Sequence, residues 1–178
     1  MRSFGTIFAA FAALSSAPAR ATTLERLSLG DMIAKSTSIV HAKVTSSYSA
    51  LVGADIYTYY QLQVSEVLKL SGQSAQSLQV AVPGGTAKGR RQLVPGAPAI
   101  KIGGDYVLFL WTSRSGLTQV IGLSQGLFRM TQDSTGNAIL VRPVSSAPMV
   151  DKNGAAVTDQ ATTYRWSDVR TQILKAGN

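Results

Sequence analysis

No cysteine occurs among the 178 residues of this sequence, and there is only one histidine. Disulfide bonds, thiol catalysis and cysteine-ligated metals are therefore excluded, and stability must come from packing alone. Carboxylates are also scarce, since nine acids stand against 17 lysines and arginines. The formal net charge of +8 favours anionic polymers, lipid headgroups or acidic protein surfaces as partners, although solubility alone also accounts for such a charge.

The N-terminus has the pattern of a secretory signal peptide. An apolar stretch from Phe4 to Leu14 is followed by Ala19-Arg20-Ala21, the small-x-small pattern after which signal peptidase cleaves. The stretch is about half as long as the roughly 20 residues that a spanning helix needs, which disfavours the alternative of an uncleaved anchor. We expect residues 1–21 to be a signal peptide and 22–178 to be one domain exported to the periplasm or beyond the cell. Without Arg2 and Arg20 its net charge is +6.

The remaining chain is dominated by strand patterns. Asp105–Trp111 is almost continuously apolar and predicts a strand covered on both faces. Ile56–Leu68 is the longest candidate, and the segments between strands, 46–53 and 86–104, predict loops. Asp133–Asn137 predicts a hairpin turn, and 143–160 predicts a turn-rich, loosely held segment. The other predicted strands are Ser38–Val44, Ser77–Val82, Leu117–Leu123, Leu127–Met130 and Ala138–Val141.

A helix is predicted at each end of these strands. Ser28 is the expected cap of a short helix that runs to Lys35, with an acid in its first turn. Apolar residues at helical spacing predict a C-terminal helix over 166–176, with Ser167 as its cap. Many short strands flanked by two helices indicate a mainly β fold: a small, bent antiparallel barrel with its core at about 29–142.

Gly122, Ser124 and Gly126 have the G-x-S-x-G spacing of a serine hydrolase. In that motif the serine lies on a turn between a strand and a helix, and an acid and then a histidine follow along the chain. Ser124 instead lies between two predicted strands, and the only histidine, His41, precedes it. We interpret the motif as a glycine-flanked bend or bulge, and a weak serine hydrolase is our third functional hypothesis.

No other motif predicts catalysis or metal binding. His41 has no second histidine or carboxylate at a metal-binding spacing, and a lone strand histidine is most often structural. Asp31, Glu66 and Asp105 lie near predicted element ends, where capping or solvation accounts for them. We therefore predict a protein that is not an enzyme and has no metal and no cofactor.

A basic, glycine-rich loop is the candidate ligand site. The interval between Gly84 and Gly89 matches a P-loop, but two arginines replace its Lys-Ser/Thr pair and no helix follows, which excludes nucleotide hydrolysis. Glycine-rich backbone beside guanidinium groups suits an anion, and the alternative is a solvated basic loop. The predicted ligand-binding residues are Lys88, Arg90, Arg91 and Lys101.

Three tyrosines fall on one predicted strand. Tyr57 and Tyr59 share one face and Tyr60 lies on the other, so a stacking platform for single-stranded nucleic acid is one interpretation. Export argues against nucleic acid as a partner. Cross-strand packing is the interpretation that we favour.

Several stretches together resemble a family of exported bacterial proteins, mostly uncharacterised, that is similar to the OB-fold and to netrin-like modules. The resemblance covers roughly Leu29 to Met130 and implies a strongly bent barrel followed by a helix. It departs from the pattern at His41, where glycine is expected, and at Ile100, where an aromatic residue is expected. It implies no catalytic residues. The matching stretches are Ser36–Val44, Leu62–Lys69, Val82–Gly85, Gly96–Pro98, Gly103–Leu110 and Gln125–Phe128.

The leading functional hypothesis is a secreted or periplasmic, non-catalytic binding module of OB-like fold. Its expected partner is an anionic envelope polymer or a co-exported protein, with no nucleic acid and no transmembrane segment after signal cleavage. The alternative is an inhibitor or chaperone-like partner of an exported protease, by analogy with netrin-like inhibitors. Those inhibitors use a cysteine-tied N-terminus, which this sequence lacks.

Overall fold

Thirteen β-strands and two α-helices form the computed structural model over the residues that it describes, 23–70 and 77–177. The predicted signal peptide lies outside the described residues. The helices are α1 (Leu29–Lys35) and α2 (Trp166–Ala176). The strands are β1 (Leu24–Glu25), β2 (Ser38–Val52), β3 (Asp55–Leu70), β4 (Ser77–Pro83), β5 (Gly85–Ala87), β6 (Arg90–Gln92), β7 (Asp105–Thr112), β8 (Thr118–Val120), β9 (Leu127–Gln132), β10 (Ala138–Arg142), β11 (Met149–Val150), β12 (Ala156–Val157) and β13 (Thr162–Arg165).

One antiparallel sheet of eight strands organises the fold, in the order β13-β10-β9-β7-β2-β3-β4, with β8 paired to β7. Its two longest strands, β2 and β3, have register shifts at three places, and such bulges bend and twist a sheet. The mainly β, barrel-like antiparallel fold that the sequence predicts is confirmed. Within the described ranges β4 and β8 are close but share no ladder, so a seam remains between them.

The two faces of this sheet bury two apolar clusters. The inner cluster contains Val40, Val44 and Leu108, and the outer one contains Ile39 and Phe109 beneath the helices. Neighbouring residues of β2 and of β7 therefore contribute to opposite clusters, as their alternation requires. The prediction that 105–111 is covered on both faces is confirmed, since every residue of β7 from Tyr106 to Leu110 is buried.

Both helices form where the sequence predicts them, but only one of the predicted caps does. The Ser28 side chain accepts from the Asp31 amide, and the Asp31 carboxylate accepts from the Ser28 amide, which makes a capping box. Ser167 is not the cap of α2, because β13 runs straight into the helix and Arg165 takes the N-cap position without a side-chain hydrogen bond. Neither helix of the described ranges has the length and apolarity to cross a bilayer.

Three segments that were predicted to be loops or loosely held are ordered parts of the fold. Residues 46–52 continue β2, because they pair with β3 as far as Val52 and Asp55. Within 86–104, β5 and β6 form a hairpin whose turn residues Lys88 and Gly89 both have positive φ, the geometry of a type I′ turn. Residues 143–160 contain β11 and β12, and Asp159 is buried.

Candidate functional site

A cleft of about 350 Å³ lies at one end of the sheet. The loop 96–101 forms one side and the segment 143–146 forms the other, with side chains of β7, β9 and β10 between them. Its volume is at the lower end of the range for small-ligand sites. Of the predicted site residues, Lys101 lies in this cleft.

The loop side is held by a turn at Gly96. The Ala97 amide donates to the Val94 carbonyl at 3.1 Å, and Pro95 and Gly96 take the central positions of the turn. Gly96 has φ +79°, and a Cβ on it would lie 2.5 Å from the Ala147 Cβ. The Gly96 amide donates to Ser146 Oγ at 3.1 Å, so the loop is joined directly to the opposite side of the cleft.

The position of Lys101 is determined by Tyr106. The Lys101 amide donates to the Tyr106 hydroxyl at 3.1 Å, and Gly104 leaves room for the ring of Tyr106. A turn follows, in which the Gly104 amide donates to the Lys101 carbonyl at 3.0 Å. The backbone of Lys101 is thereby fixed while its side chain stays exposed at the cleft.

Arg129 is the second cation of the cleft. In the register of the sheet it lies opposite Tyr106 of β7 and opposite Val141 of β10. Tyr106 belongs to the inner cluster, so Arg129 also projects from the inner side of the sheet, yet it is exposed. An inward-facing but exposed arginine requires that the inner side of the sheet be open at this point, and the cleft lies there.

The third cation, Arg142, is neutralised by a buried ion pair. Its guanidinium donates to both carboxylate oxygens of Asp159, at 2.7 and 2.8 Å. The Ser145 amide donates to Asp159 as well, at 2.7 Å. The hydrogen bond from Arg142 is the main reason that the pKa of Asp159 falls from 3.8 to about 2.

Lys101 and Arg129 have no such partner. All nine acids of the sequence lie in the described ranges, and none of them is within ion-pair distance of either cation. The cleft therefore has two uncompensated positive charges, together with the hydroxyls of Ser124, Ser145 and Ser146. Cations and hydroxyls that converge on one cavity are suited to bind an anion.

The other three predicted site residues lie on a different surface. Lys88, Arg90 and Arg91 are exposed on the β5–β6 hairpin and do not line the cleft. The base of that hairpin packs on the end of the β2–β3 hairpin, where Gly85 leaves no room for a Cβ beside Thr58. The structure thus divides the four predicted cations between a cleft and a hairpin.

Ser124 contributes a hydroxyl to the cleft but has no described contact with the histidine. Its Oγ donates to Ser145 Oγ at 3.2 Å, on a turn where Gly122 and Leu123 both have positive φ. The neighbouring Gln125 is buried and forms two hydrogen bonds with the backbone before α1: its Oε1 accepts from the Leu27 amide, and its Nε2 donates to the Glu25 carbonyl. His41 instead pairs with Asp105, at 2.9 Å between Nε2 and Oδ1. The predicted bend at the G-x-S-x-G motif is present, because residues 121–126 form turns between β8 and β9.

No described cluster of three or more histidine or acidic residues has the geometry of a metal site.

Sequence patterns did not identify Arg129 and Arg142, which lie on strands rather than in the basic loop. The available signal for Arg129 was a charge at an inward position of the Leu127–Met130 pattern. Nothing local marked Arg142, because its partner is 17 residues away.

No protein-family model, curated protein or solved structure matches this chain. The resemblance to exported OB-like proteins stays a prediction.

Proposed function

We propose that this protein is a non-catalytic binding module that takes an anionic ligand in the cleft. One observation carries the proposal: Lys101 and Arg129 line the same cavity and neither has a carboxylate partner among the described residues. Both side chains are exposed, so water can solvate them without a partner, but two cations on one cavity with no carboxylate beside them raise the local positive potential and favour an anionic ligand.

The chemistry of the cleft favours carboxylate or phosphate groups on a larger molecule. Arg129 offers a planar fork of donors that fits either oxyanion, and Lys101 adds a point charge. The cavity of about 350 Å³ has room for one acidic unit of a polymer, while the neighbouring units of the polymer would lie outside the cleft. An anionic envelope polymer matches this description and agrees with the expected export. On such a polymer the exposed cations of the β5–β6 hairpin would supply a second contact.

The proposal is tested by equilibrium binding to two fluorescent polymers, polygalacturonate for carboxylates and polyphosphate for phosphates. The double variant Lys101→Gln/Arg129→Gln should bind at least one of them about tenfold or more weakly than the unaltered protein. A tenfold loss corresponds to about 1.4 kcal/mol, close to the lower end of the range for a single charge-assisted hydrogen bond. Measurement at two salt concentrations separates the charge contribution, because salt screens it.

The matched control is Arg114→Gln/Lys175→Gln, which removes the same charge from two exposed cations outside the cleft. It should bind within about twofold of the unaltered protein. A third variant, Lys88→Gln/Arg90→Gln/Arg91→Gln, tests the hairpin. If the unaltered protein binds neither polymer, or if the cleft variant binds as the control does, the cleft is not the anion site. A loss of binding confined to the hairpin variant would place the anion site on the β5–β6 hairpin, as the sequence predicts.

A further inference from the structure

A second surface, on the outer side of the sheet, has the opposite chemistry. Beyond the part that α2 covers, three register rows run across β2, β3 and β4. Residues directly opposite one another in antiparallel strands project on the same side. The three rows are Ala50-Tyr57-Pro83, Tyr48-Tyr59-Ala81 and Ser46-Gln61-Gln79. We name this surface the tyrosine face.

The rings of the tyrosine face are arranged side by side and reach solvent. Tyr48 and Tyr59 stack with centroids 5.1 Å apart and planes 19° apart, and Tyr57 follows at 6.5 Å from Tyr59. Tyr48 is 52% exposed, and the Gln79 amide donates to its hydroxyl at 3.2 Å. The prediction that Tyr57 and Tyr59 share one face is confirmed, since Tyr60 packs on the inner cluster.

The tyrosine face continues across the seam between β4 and β8. A groove of about 370 Å³ is lined by Ala81 and Pro83 on the β4 side, and by Trp111, Gln119 and the aliphatic residues Val120, Ile121 and Leu123 on the β8 side. Trp111 and Gln119 are register partners, and Trp111 is 45% exposed. A second exposed aromatic site thus lies beside the tyrosines, separated from them by the two small residues of β4.

The tyrosine face has no formal charge. Its three rows contain no lysine, arginine, aspartate or glutamate, although the sequence has a net charge of +8. Its polar groups are the side-chain amides of Gln61 and Gln79 and the hydroxyls of Ser46 and the tyrosines, and the groove adds the amide of Gln119. A charged polymer has no counter-charge on this surface, since none of the residues that line the adjoining groove is charged.

We propose that the tyrosine face and the adjoining groove bind a neutral glycan. The C–H face of a sugar ring packs on an aromatic ring, and amide and phenol groups serve its hydroxyls as donors and acceptors. The tyrosine rings on one side of β4 and Trp111 on the other side suit a ligand of several linked sugars that extends across the seam. The three tyrosine rows share no residue with the Lys101–Arg129 cleft, and the groove shares only Pro98 with it, so either proposal can fail while the other holds.

The test is calorimetric titration of the full chain with hexamers of β-1,4-linked glucose and of β-1,4-linked N-acetylglucosamine. At least one hexamer should bind, and binding should quench the fluorescence of Trp111. Tyr48→Thr and Trp111→Thr should each weaken binding about threefold to tenfold, the range expected for one aromatic contact. Threonine keeps the strand preference of both positions.

Two further variants separate ring stacking from general effects. Tyr59→Phe keeps the ring and should retain binding, while Leu93→Ser removes an exposed apolar side chain elsewhere and should have no effect. Absence of binding to both hexamers, or equal binding by Tyr48→Thr, Trp111→Thr and the unaltered protein, would overturn the proposal. Sedimentation of the same variants tests whether a second copy of the chain covers the face instead. If the unaltered protein is a dimer and Tyr48→Thr is a monomer, the face is a dimer interface and the glycan proposal is wrong.

Discussion

The guanidinium of Arg142 and the carboxylate of Asp159 form a bidentate ion pair, with N–O distances of 2.7 and 2.8 Å and only 9% and 2% of the side chains exposed. Arg142 ends β10, and Asp159 lies at the far end of the segment that was predicted to be loosely held. The pair therefore closes residues 143–158 into a loop. Because Ser145 also donates to Asp159, the same contact positions the 143–146 side of the cleft.

Replacement of Asp159 by asparagine should destabilise the protein by about 3 kcal/mol, because it leaves the guanidinium of Arg142 buried without a counter-charge. The free energy of unfolding in urea measures the effect. The comparison is a double-mutant cycle with Arg142→Met and Asp159→Leu: the double variant should lose much less than the sum of the two single losses. Additive losses would contradict a direct ion pair.

The contribution of Asp159 should depend on pH in the acid range. Its pKa is about 2 in the folded protein against an ordinary 3.8, so the folded state favours the ionised form. The stabilisation is complete above about pH 4 and is lost as the pH falls toward 2. The difference in unfolding free energy between the unaltered protein and Asp159→Asn should therefore be constant from pH 7 to 5 and shrink between pH 4 and 2. A difference that stays constant to pH 2 would contradict the assignment.

Gly96→Ala should disturb the cleft through the clash with Ala147. The matched control is Gly136→Ala, because Gly136 has nearly the same φ, +83°, but no atom within 4 Å of an added Cβ. The control should lose about 1 kcal/mol of stability from backbone strain alone. Gly96→Ala should lose roughly 1–3 kcal/mol more, since Ala147 must shift. Equal losses in thermal or urea unfolding would mean that the contact does not constrain the loop.

Ser124→Ala should leave stability within about 0.5 kcal/mol, because the side chain makes one hydrogen bond to another hydroxyl. The purified protein should show no turnover of an activated ester such as p-nitrophenyl acetate above the buffer rate. This expectation follows from the contacts of Ser124 and His41, which bind different partners. Turnover that disappears in Ser124→Ala would instead establish the hydrolase hypothesis.

The sequence predicted most of the strands because their signals are local. The alternation of 38–44 and the apolar run of 105–111 depend only on which faces are buried, and Asp133–Asn137 forms its turn from its own side chains. The β5–β6 hairpin was missed because Lys88 takes the left-handed conformation that asparagine or aspartate usually takes before glycine. The predicted cap at Ser167 failed because the preceding strand determines where α2 begins.

The candidate site was only partly predictable for a different reason. Lys101 was identified by its charge in a glycine-rich region, but the partner elements of the cleft come from residues 124–146, which the chain order does not associate with it. Whether the loop with Lys101 and residues 124–146 lie together depends on how all the strands of the sheet pair. The contrast between Arg142, which is neutralised, and Arg129, which is not, depends on the distant Asp159 and has no local signal.

The most direct measurement of the central claim is reductive methylation of lysines, followed by mass spectrometry, with and without polygalacturonate or polyphosphate. Lys43, Lys88, Lys101 and Lys175 are all exposed, so each should be modified in the free protein. With a saturating concentration of the polymer that binds, modification of Lys101 should fall severalfold more than that of Lys43 and Lys175. If neither polymer binds, or if Lys101 is modified at its free rate while polymer is bound, the cleft does not hold the anion.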